Sequence, residues 1–251
     1  MSKPTVAFFD FSGCEGDQLQ VANLEEQLLV LNDLVEIVGF REIYDGKAEE
    51  YDIAFIEGSC VRKSDEARLK QIRERAKFVV AIGACATIGG INSLKNAQSE
   101  EKVRKLVYGK KADLFESYPA RPIDAIIKVD CKIHGCPIRK EEFLEACKAL
   151  LAGQKYEPPN YPVCVECKLA ENICVFEKGE TCVGPVTRAG CKACCVTQGA
   201  ICWGCRGLVD DPNIDSHKEV LEKYGLKAED LINKFNLYFK WQEDVNADQG
   251  S

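Results

Sequence analysis

Apolar residues in the N-terminal half of the chain fall alternately into short continuous runs and into helical spacings. Thr5–Phe11 is an apolar run rich in aromatic side chains and closed by Ser12-Gly13, which predicts a buried strand. Gln18–Leu31 carries Leu19, Val21, Leu24, Leu28 and Leu31, a helical spacing. Tyr51–Ile56 predicts a second strand that ends at Glu57-Gly58. A charged helix is expected over Asp65–Ala76, with Arg and Lys on its exposed face, then a strand over Phe78–Ile82 that stops at Gly83. Ala125–Val129 predicts a fourth strand and Glu141–Leu151 a closing helix. This rhythm predicts an α/β fold, a flavodoxin-like and mostly parallel sheet with helices on both faces. Near the other end, Ser216–Trp241 predicts an amphipathic helix with an aromatic group, Phe235, Tyr238, Phe239 and Trp241. Covering the chain's own C-terminal domain is the expected use of that group, and docking a partner is the other. Asn246–Ser251 reads as a frayed tail.

Composition narrows the class. With 251 residues, 46% of them hydrophobic, and a formal charge of −7, the chain is globular and mildly acidic, with room for one substantial domain and a smaller one. The expected division is 1–153 for the flavodoxin-like domain and 154–251 for a loop-rich cysteine domain with a helical tail. No basic stripe is present to neutralise phosphates, so nucleic acid is not an expected partner. The longest apolar runs, such as Phe78–Ala86, are too short to span a bilayer, so no membrane is expected either. The first residues run straight into the Thr5 strand without a small-residue cleavage site, and a cytoplasmic location is expected.

Fifteen cysteines change the picture. In a reducing compartment, dense cysteine argues for metal and against disulfides. Leaving Cys194 aside, the cysteines between Cys164 and Cys205 read Cys164-x2-Cys167-x6-Cys174-x7-Cys182 and Cys191-x3-Cys195-x6-Cys202-x2-Cys205. Two consecutive sets of four thiolates are the ligand count for two cubane iron–sulfur clusters. Zinc ribbons also use paired C-x2-C units, but Cys174, Cys182, Cys191 and Cys195 are not paired in that way. Two clusters in so short a segment make an electron path and not a substrate site.

Four further cysteines follow predicted strands. Cys14 comes after the first, Cys60 after Tyr51–Ile56, Cys85 after Phe78–Ile82 and Cys136 after Ala125–Val129. Ligands bind beyond the carboxyl ends of strands in open α/β sheets, so a third cluster is expected there. A single buried cysteine is ordinarily an inert small hydrophobe, and it is the convergence of these positions that carries the expectation. Glycines at 13, 16, 58, 83 and 135 would let backbone approach a bulky cluster.

These motifs resemble those of the small subunit of nickel–iron hydrogenases of the cytosolic type. Phe11-Ser12-Gly13-Cys14-Glu15-Gly16-Asp17 is similar to that family's first cysteine element, and Ile56-Glu57-Gly58-Ser59 to its Glu-Gly loop. Gly83-Ala84-Cys85-Ala86-Thr87-Ile88-Gly89-Gly90 resembles its G-x-C-A-x-x-G-G element, and Gly135-Cys136-Pro137 its G-C-P. Cys182 through Cys191 resembles the segment that joins its two outer clusters. The resemblance implies three [4Fe–4S] clusters. Cys14, Cys85 and Cys136 would hold the proximal one, Cys164, Cys167, Cys174 and Cys182 the distal one, and Cys191, Cys195, Cys202 and Cys205 the medial one. Many periplasmic members have His in the place of Cys164 and Pro in the place of Cys195. A thiolate at Cys195 implies a four-iron medial cluster. The departure is Asp17, which stands where the family has its second proximal cysteine. A carboxylate can ligate iron, so Asp17 is the preferred fourth ligand, with Cys60 and an exchangeable water as alternatives. Cys194 competes with Cys195 for the medial site. Cys147 is expected in the core, Cys131 has no assigned role, and His134 is expected in a partly exposed loop.

The implied function is electron transfer. Hydrogen would react at a nickel–iron centre in a separate large subunit, and electrons would pass through this chain to a flavin- or ferredoxin-type acceptor subunit. No residue here is expected to carry acid–base or nucleophilic chemistry. Glu15 and Glu57 are expected to serve as structural or interface hydrogen-bonding groups, with assistance to proton movement at the interface as the alternative. The competing reading is an iron–sulfur subunit of a related oxidoreductase without hydrogen chemistry, as in the homologous subunit of respiratory complex I. That homologue lacks the cysteine-rich segment.

Overall fold

Five strands, β1 (Thr5–Asp10), β2 (Glu36–Gly39), β3 (Tyr51–Glu57), β4 (Ala76–Ile82) and β5 (Cys131–Ile133), form a single sheet in a computed structural model. The structure describes residues 3–43, 46 and 49–249. All neighbours pair in parallel and the order is β2-β1-β3-β4-β5. This is the flavodoxin-like order, with its switch point between β1 and β3. Both faces of β3 and β4 are covered, which is why these strands read as continuous apolar runs without alternation.

Alternation survives in where the side chains go. Val6, Phe8, Ile53, Phe55, Val80, Ile82, Cys131 and Ile133 belong to one apolar cluster. Ala7, Ala54, Ile56, Val79 and Ala81 belong to the cluster on the opposite face. In the first, the Phe8 ring stacks on Phe40 at 4.2 Å and on Phe55 at 4.8 Å between centroids. The second is built around small residues and the side chains Leu69 and Ile72, which come from the helix Lys63–Arg75.

The helices of this unit are α1 (Gly16–Ala22), α2 (Glu26–Leu34), α3 (Lys63–Arg75), α4 (Gly83–Ile88), α5 (Glu100–Tyr108) and α6 (Lys140–Leu151). Two expectations need correction. The helix expected over Gln18–Leu31 is two helices, because the chain turns at Asn23–Glu25, where Glu25 takes φ 55°. The strand expected over Ala125–Val129 is instead a short 3-10 turn at Ile123–Ala125 and an irregular stretch, and the strand begins at Cys131. Ile123 and Ile127 are buried in the second apolar cluster, so the apolar run packs against the sheet without joining it. Edge strand β2 has no counterpart among the predicted elements.

Chain contacts separate Met1–Glu157 from Pro158–Ser251 as two compact units. The second is built from α7 (Val163–Leu169), α8 (Cys194–Thr197), α9 (Ile214–Lys223), α10 (Ala228–Gln249) and connecting loops. Backbone hydrogen bonds knit those loops: Val163 N–H to Thr187 O, Ala189 N–H to Tyr161 O and Arg188 N–H to Gly207 O, each 2.8–2.9 Å. The helix expected over Ser216–Trp241 is also two helices, broken at Gly225 with φ 88°. Phe235, Tyr238 and Phe239 are buried within this unit. The tail expected to fray is helical as far as Gln249, and 250–251 lie outside the described residues.

Candidate metal centres

In the first unit the chain delivers polar and sulfur groups to the carboxyl edge of the sheet. After β1 and β3 the two loops zip together, with Ser12 N–H donating to Ser59 O at 3.2 Å and Ser59 N–H to Ser12 O at 2.8 Å. After β4 and β5 the Ala84 N–H donates to Gly135 O at 2.6 Å. These ties bring Cys14, Asp17, Cys85 and Cys136 into one neighbourhood. The Cys85 thiol is pushed up to about 12, first by burial and then by Cys136, Asp17 and Cys14. Four groups that disfavour one another's charge suit a cationic iron core, which would supply the missing compensation.

Asp17 is almost wholly buried, and its Oδ1 accepts from the Ile138 N–H at 2.7 Å. Its own N–H donates to Glu57 Oε1 at 3.2 Å, and Gln18 N–H donates to Glu57 Oε2 at 2.7 Å. Glu57, 2% exposed, thus holds the first turn of α1 in place. Burial, then the Glu57 charge, raises Asp17 to about 7. Gly83 has φ +83°, and a Cβ there would fall 1.7 Å from Asp17 Oδ2. Only glycine leaves room for the carboxylate. Glu15 is also raised to about 7, by burial and then by Asp10 and Glu57, and its Oε2 accepts from Gln18 Nε2 at 3.0 Å.

Cys60 is fully buried in the second apolar cluster, its Sγ is 3.3 Å from the Tyr118 hydroxyl, and burial raises its pKa. The Tyr118 hydroxyl lies within hydrogen-bond reach of two acceptors, Arg62 O at 2.6 Å and Glu66 Oε1 at 2.9 Å. Cys131 and Cys147 are packed in the first apolar cluster. His134 is buried, contrary to the expectation of a partly exposed loop, with Nδ1 3.1 Å from Thr87 Oγ1.

In the second unit, α7 presents Cys164 and Cys167, while Cys174 and Cys182 flank the 3-10 turn Val175–Lys178. Cys164 is raised to about 11 by burial and then by Cys182, Cys167 and Cys174, which places all four together. Gly184 lets backbone reach this group: its N–H donates to Cys182 Sγ at 3.3 Å. Cys191, Cys194 and Cys195 form a second neighbourhood, Cys195 being raised to about 11 by burial and then by Cys194 and Cys191. Cys194 and Cys195 are thus both at hand beside Cys191. Cys202 neighbours Cys205 but is also hydrogen-bonded to Cys182, whose pKa that bond pulls down. The two quartets therefore adjoin through Cys182 and Cys202. Among the described residues no group of three or more His, Cys, Asp or Glu side chains is arranged to hold a single metal ion.

Comparison with known proteins decides the family. The model of the NADH ubiquinone oxidoreductase 20 Kd subunit matches residues 14–150. Sulfhydrogenase 2 subunit delta of Pyrococcus furiosus is 32% identical, the match covering 93% of this chain and 98% of that protein. The chain belongs to this family, as a nickel–iron hydrogenase small subunit. A vhu subunit of the F420-non-reducing hydrogenase from Methanococcus voltae is 35% identical across 94% of this chain and 96% of its own. Among solved structures, an NAD+-reducing [NiFe]-hydrogenase chain has 28% identity and a TM-score of 0.55, covering 62% of this chain and 96% of its own. The Ni-Fe-Se hydrogenase of Desulfomicrobium baculatum, at 17% identity and TM-score 0.53 over 86% of this chain and 98% of its own, shares the fold. Such small subunits are parts of an oxidoreductase, and no helix among the described residues is long and apolar enough to cross a membrane.

Sequence reasoning missed three side chains at these centres: Glu166, Arg206 and His217. Glu166 lies between Cys164 and Cys167 yet reaches the Cys191 loop, with its Oε1 2.9 Å from Gly190 N. The buried His217 ring is hydrogen-bonded to the Cys182 backbone, and burial lowers its pKa. A charged residue inside a ligand motif was the one available signal, for Glu166 in Cys164-Val165-Glu166-Cys167 and for Arg206 directly after Cys205.

Proposed function

We propose that this chain is the electron-transfer small subunit of a cytoplasmic nickel–iron hydrogenase. It relays electrons between a nickel–iron centre in a large subunit and a soluble acceptor module. Cys14, Asp17, Cys85 and Cys136 would hold the proximal cluster, Cys164, Cys167, Cys174 and Cys182 the distal one, and Cys191, Cys195, Cys202 and Cys205 the medial one. Bound in these positions, [4Fe–4S] clusters supply one-electron redox chemistry. The chain's own residues provide the thiolates and one carboxylate, bury them, and direct amides such as Gly184 N–H at the sulfurs.

The observation that carries this reading is the gathering of Cys14, Asp17, Cys85 and Cys136 at one sheet edge. A family member needs a partner-facing cluster there, and Cys14 and Cys136 are exposed in the chain alone. A large subunit would cover them. The acceptor is a flavin- or ferredoxin-type subunit. Relatives named for F420-non-reducing, sulfhydrogenase and NAD-reducing HoxS enzymes differ in the partner their names imply, so acceptor choice is assigned to other subunits.

The test is anaerobic purification of the native complex through a tag on this chain, with nickel and iron analysis and hydrogen-dependent dye reduction. Nickel, activity and about twelve irons per copy of this chain are expected, counted as three four-iron clusters. Iron without nickel or hydrogen activity would instead support the alternative, an iron–sulfur subunit of a related oxidoreductase. The match to an NADH ubiquinone oxidoreductase subunit keeps that alternative in view.

A further inference from the structure

Two opposite charges flank Cys191. Glu166 grows from α7 between Cys164 and Cys167, but its carboxylate serves the neighbouring loop. It accepts from Gly190 N–H at 2.9 Å and from Ala193 N–H at 3.3 Å, and Cys191 Sγ is 3.9 Å from its Oε2. Arg206, directly after Cys205, is 1% exposed and ranks among the largest fully buried side chains of the molecule. Its Nε donates to Ala189 O at 2.6 Å, and a Cβ added at Gly190 would fall 2.2 Å from its Nη2.

A guanidinium stays charged at every pH a protein survives. Burying one is costly unless a negative charge compensates for it. The charge that Arg206 keeps would act on an anionic, thiolate-ligated site at Cys191 and Cys205. Net charge and hydrogen bonds around the sulfurs are what set a cluster's potential. We propose that Glu166 and Arg206 are opposed tuning residues of the Cys191-Cys195-Cys202-Cys205 site. Arg206 stabilises its reduced form and Glu166 destabilises it, so their balance sets the level of this step in the relay. Reduction by one electron from a neighbouring four-iron cluster makes the site one unit more negative, with no bond made or broken and no proton moved. Arg206 attracts the added charge and Glu166 repels it. The inference rests on the proposed function, since it presumes a four-iron cluster at those thiolates.

The test uses the anaerobically purified complex with Glu166→Gln, Arg206→Gln and Arg206→Lys. Glu166→Gln removes the charge and keeps an oxygen for the Gly190 N–H, with an amide nitrogen taking the place of the oxygen that accepts from Ala193 N–H. Iron analysis and Mössbauer spectra count the clusters, and EPR-monitored titration against mediator dyes reads each midpoint. E166Q should raise, and R206Q lower, the midpoint of one and the same cluster, with R206K staying near the parent. The expected size is on the order of tenfold in the one-electron equilibrium, about 59 mV. If R206Q does not assemble, E166Q and R206K decide, the first raised and the second unmoved. An unmoved midpoint in E166Q, shifts of the same sign, a lowered R206K, or loss of that cluster from E166Q would overturn the inference. Fewer than three four-iron clusters in the parent complex would overturn the proposed function instead. Three clusters with unmoved potentials overturn this inference alone.

Discussion

Asp17 is fixed by groups drawn from distant parts of the chain: Ile138 N–H on its carboxylate, Glu57 on its own N–H, and the Cβ-free Gly83 beside it. That degree of fixing suits a ligand and gives sharp expectations for four variants. Asp17→Ala should cost the complex about four irons, one cluster's complement, while Asp17→Cys should retain them, because thiolate suits these clusters better. Cys60→Ala should retain the full iron content, since Cys60 is packed in the second apolar cluster against Tyr118. Its cost should be stability alone, about 1 kcal/mol, read from the urea midpoint of the far-UV signal. Iron loss from C60A with none from D17A would sink the assignment. Gly83→Ala should destabilise by more than about 1 kcal/mol, because the new methyl meets a carboxylate that cannot retreat and φ is positive. The thermal midpoint reads that effect. The cysteines themselves were legible in the sequence because ligand spacing and strand ends are local properties. The hold of Glu57 and Ile138 on Asp17 was not, because residues 40 and 121 positions apart meet only in the fold.

Elements show the same division between local and distant causes. Thr5, Tyr51 and the run up to Ile82 were readable as strands because the middle of each is covered on both faces and so is apolar. Edge strand β2 is four residues long and starts two residues after α2 ends, too brief for a period to declare itself. Ala125–Val129 misled for the opposite reason, as burial made it apolar without pairing it. The actual start of β5 is set by Asp130, whose N–H donates to Val79 O at 2.9 Å and whose Oδ2 accepts from Val79 N–H at 2.9 Å and from Arg73. Burial works against the Asp130 carboxylate, but Val79 N–H and Arg73 outweigh it and its pKa is lowered. The stability it contributes is therefore present above the unfolded value of about 3.9 and is lost as pH falls through the lower folded value. At neutral pH, Asp130→Ala leaves the Val79 N–H without this partner and should cost about 1–3 kcal/mol. The gap in urea midpoint between parent and variant should close as the pH drops through the folded value. A gap that persists in acid would assign the effect to packing. In the second unit α10 seals the cluster segment: a Cβ at Gly204, between Cys202 and Cys205, would lie 2.4 Å from the Phe239 ring. Phe239→Ala should cost about 3–5 kcal/mol and show as faster iron release on warming.

Across the molecule, exposure differs from one thiol group to the next, and this orders how the clusters should be lost. Cys14 and Cys136 are exposed in the first unit, and Cys194 and Cys195 in the second. Cys164, Cys167 and Cys174 are half-buried and Cys182 is buried. A chelator must reach iron through its ligands, so the Cys164 quartet should release last when this chain is held apart from its complex. Iron release to an anaerobic chelator should be biphasic, with a slow phase of about four irons per chain. Cys164→Ser should abolish that slow phase. The large subunit should then slow part of the fast phase, because the thiols it is proposed to cover are those of the Cys14 edge and not those of the Cys191 loop. Mössbauer spectra taken between the phases identify which cluster has gone. Release in a single phase, or a slow phase untouched by Cys164→Ser, would show that thiol exposure does not govern the order. Protection by the large subunit of the Cys191 site in place of the Cys14 edge would put the partner on the wrong face of the relay, and the proposed direction of electron flow would fall with it.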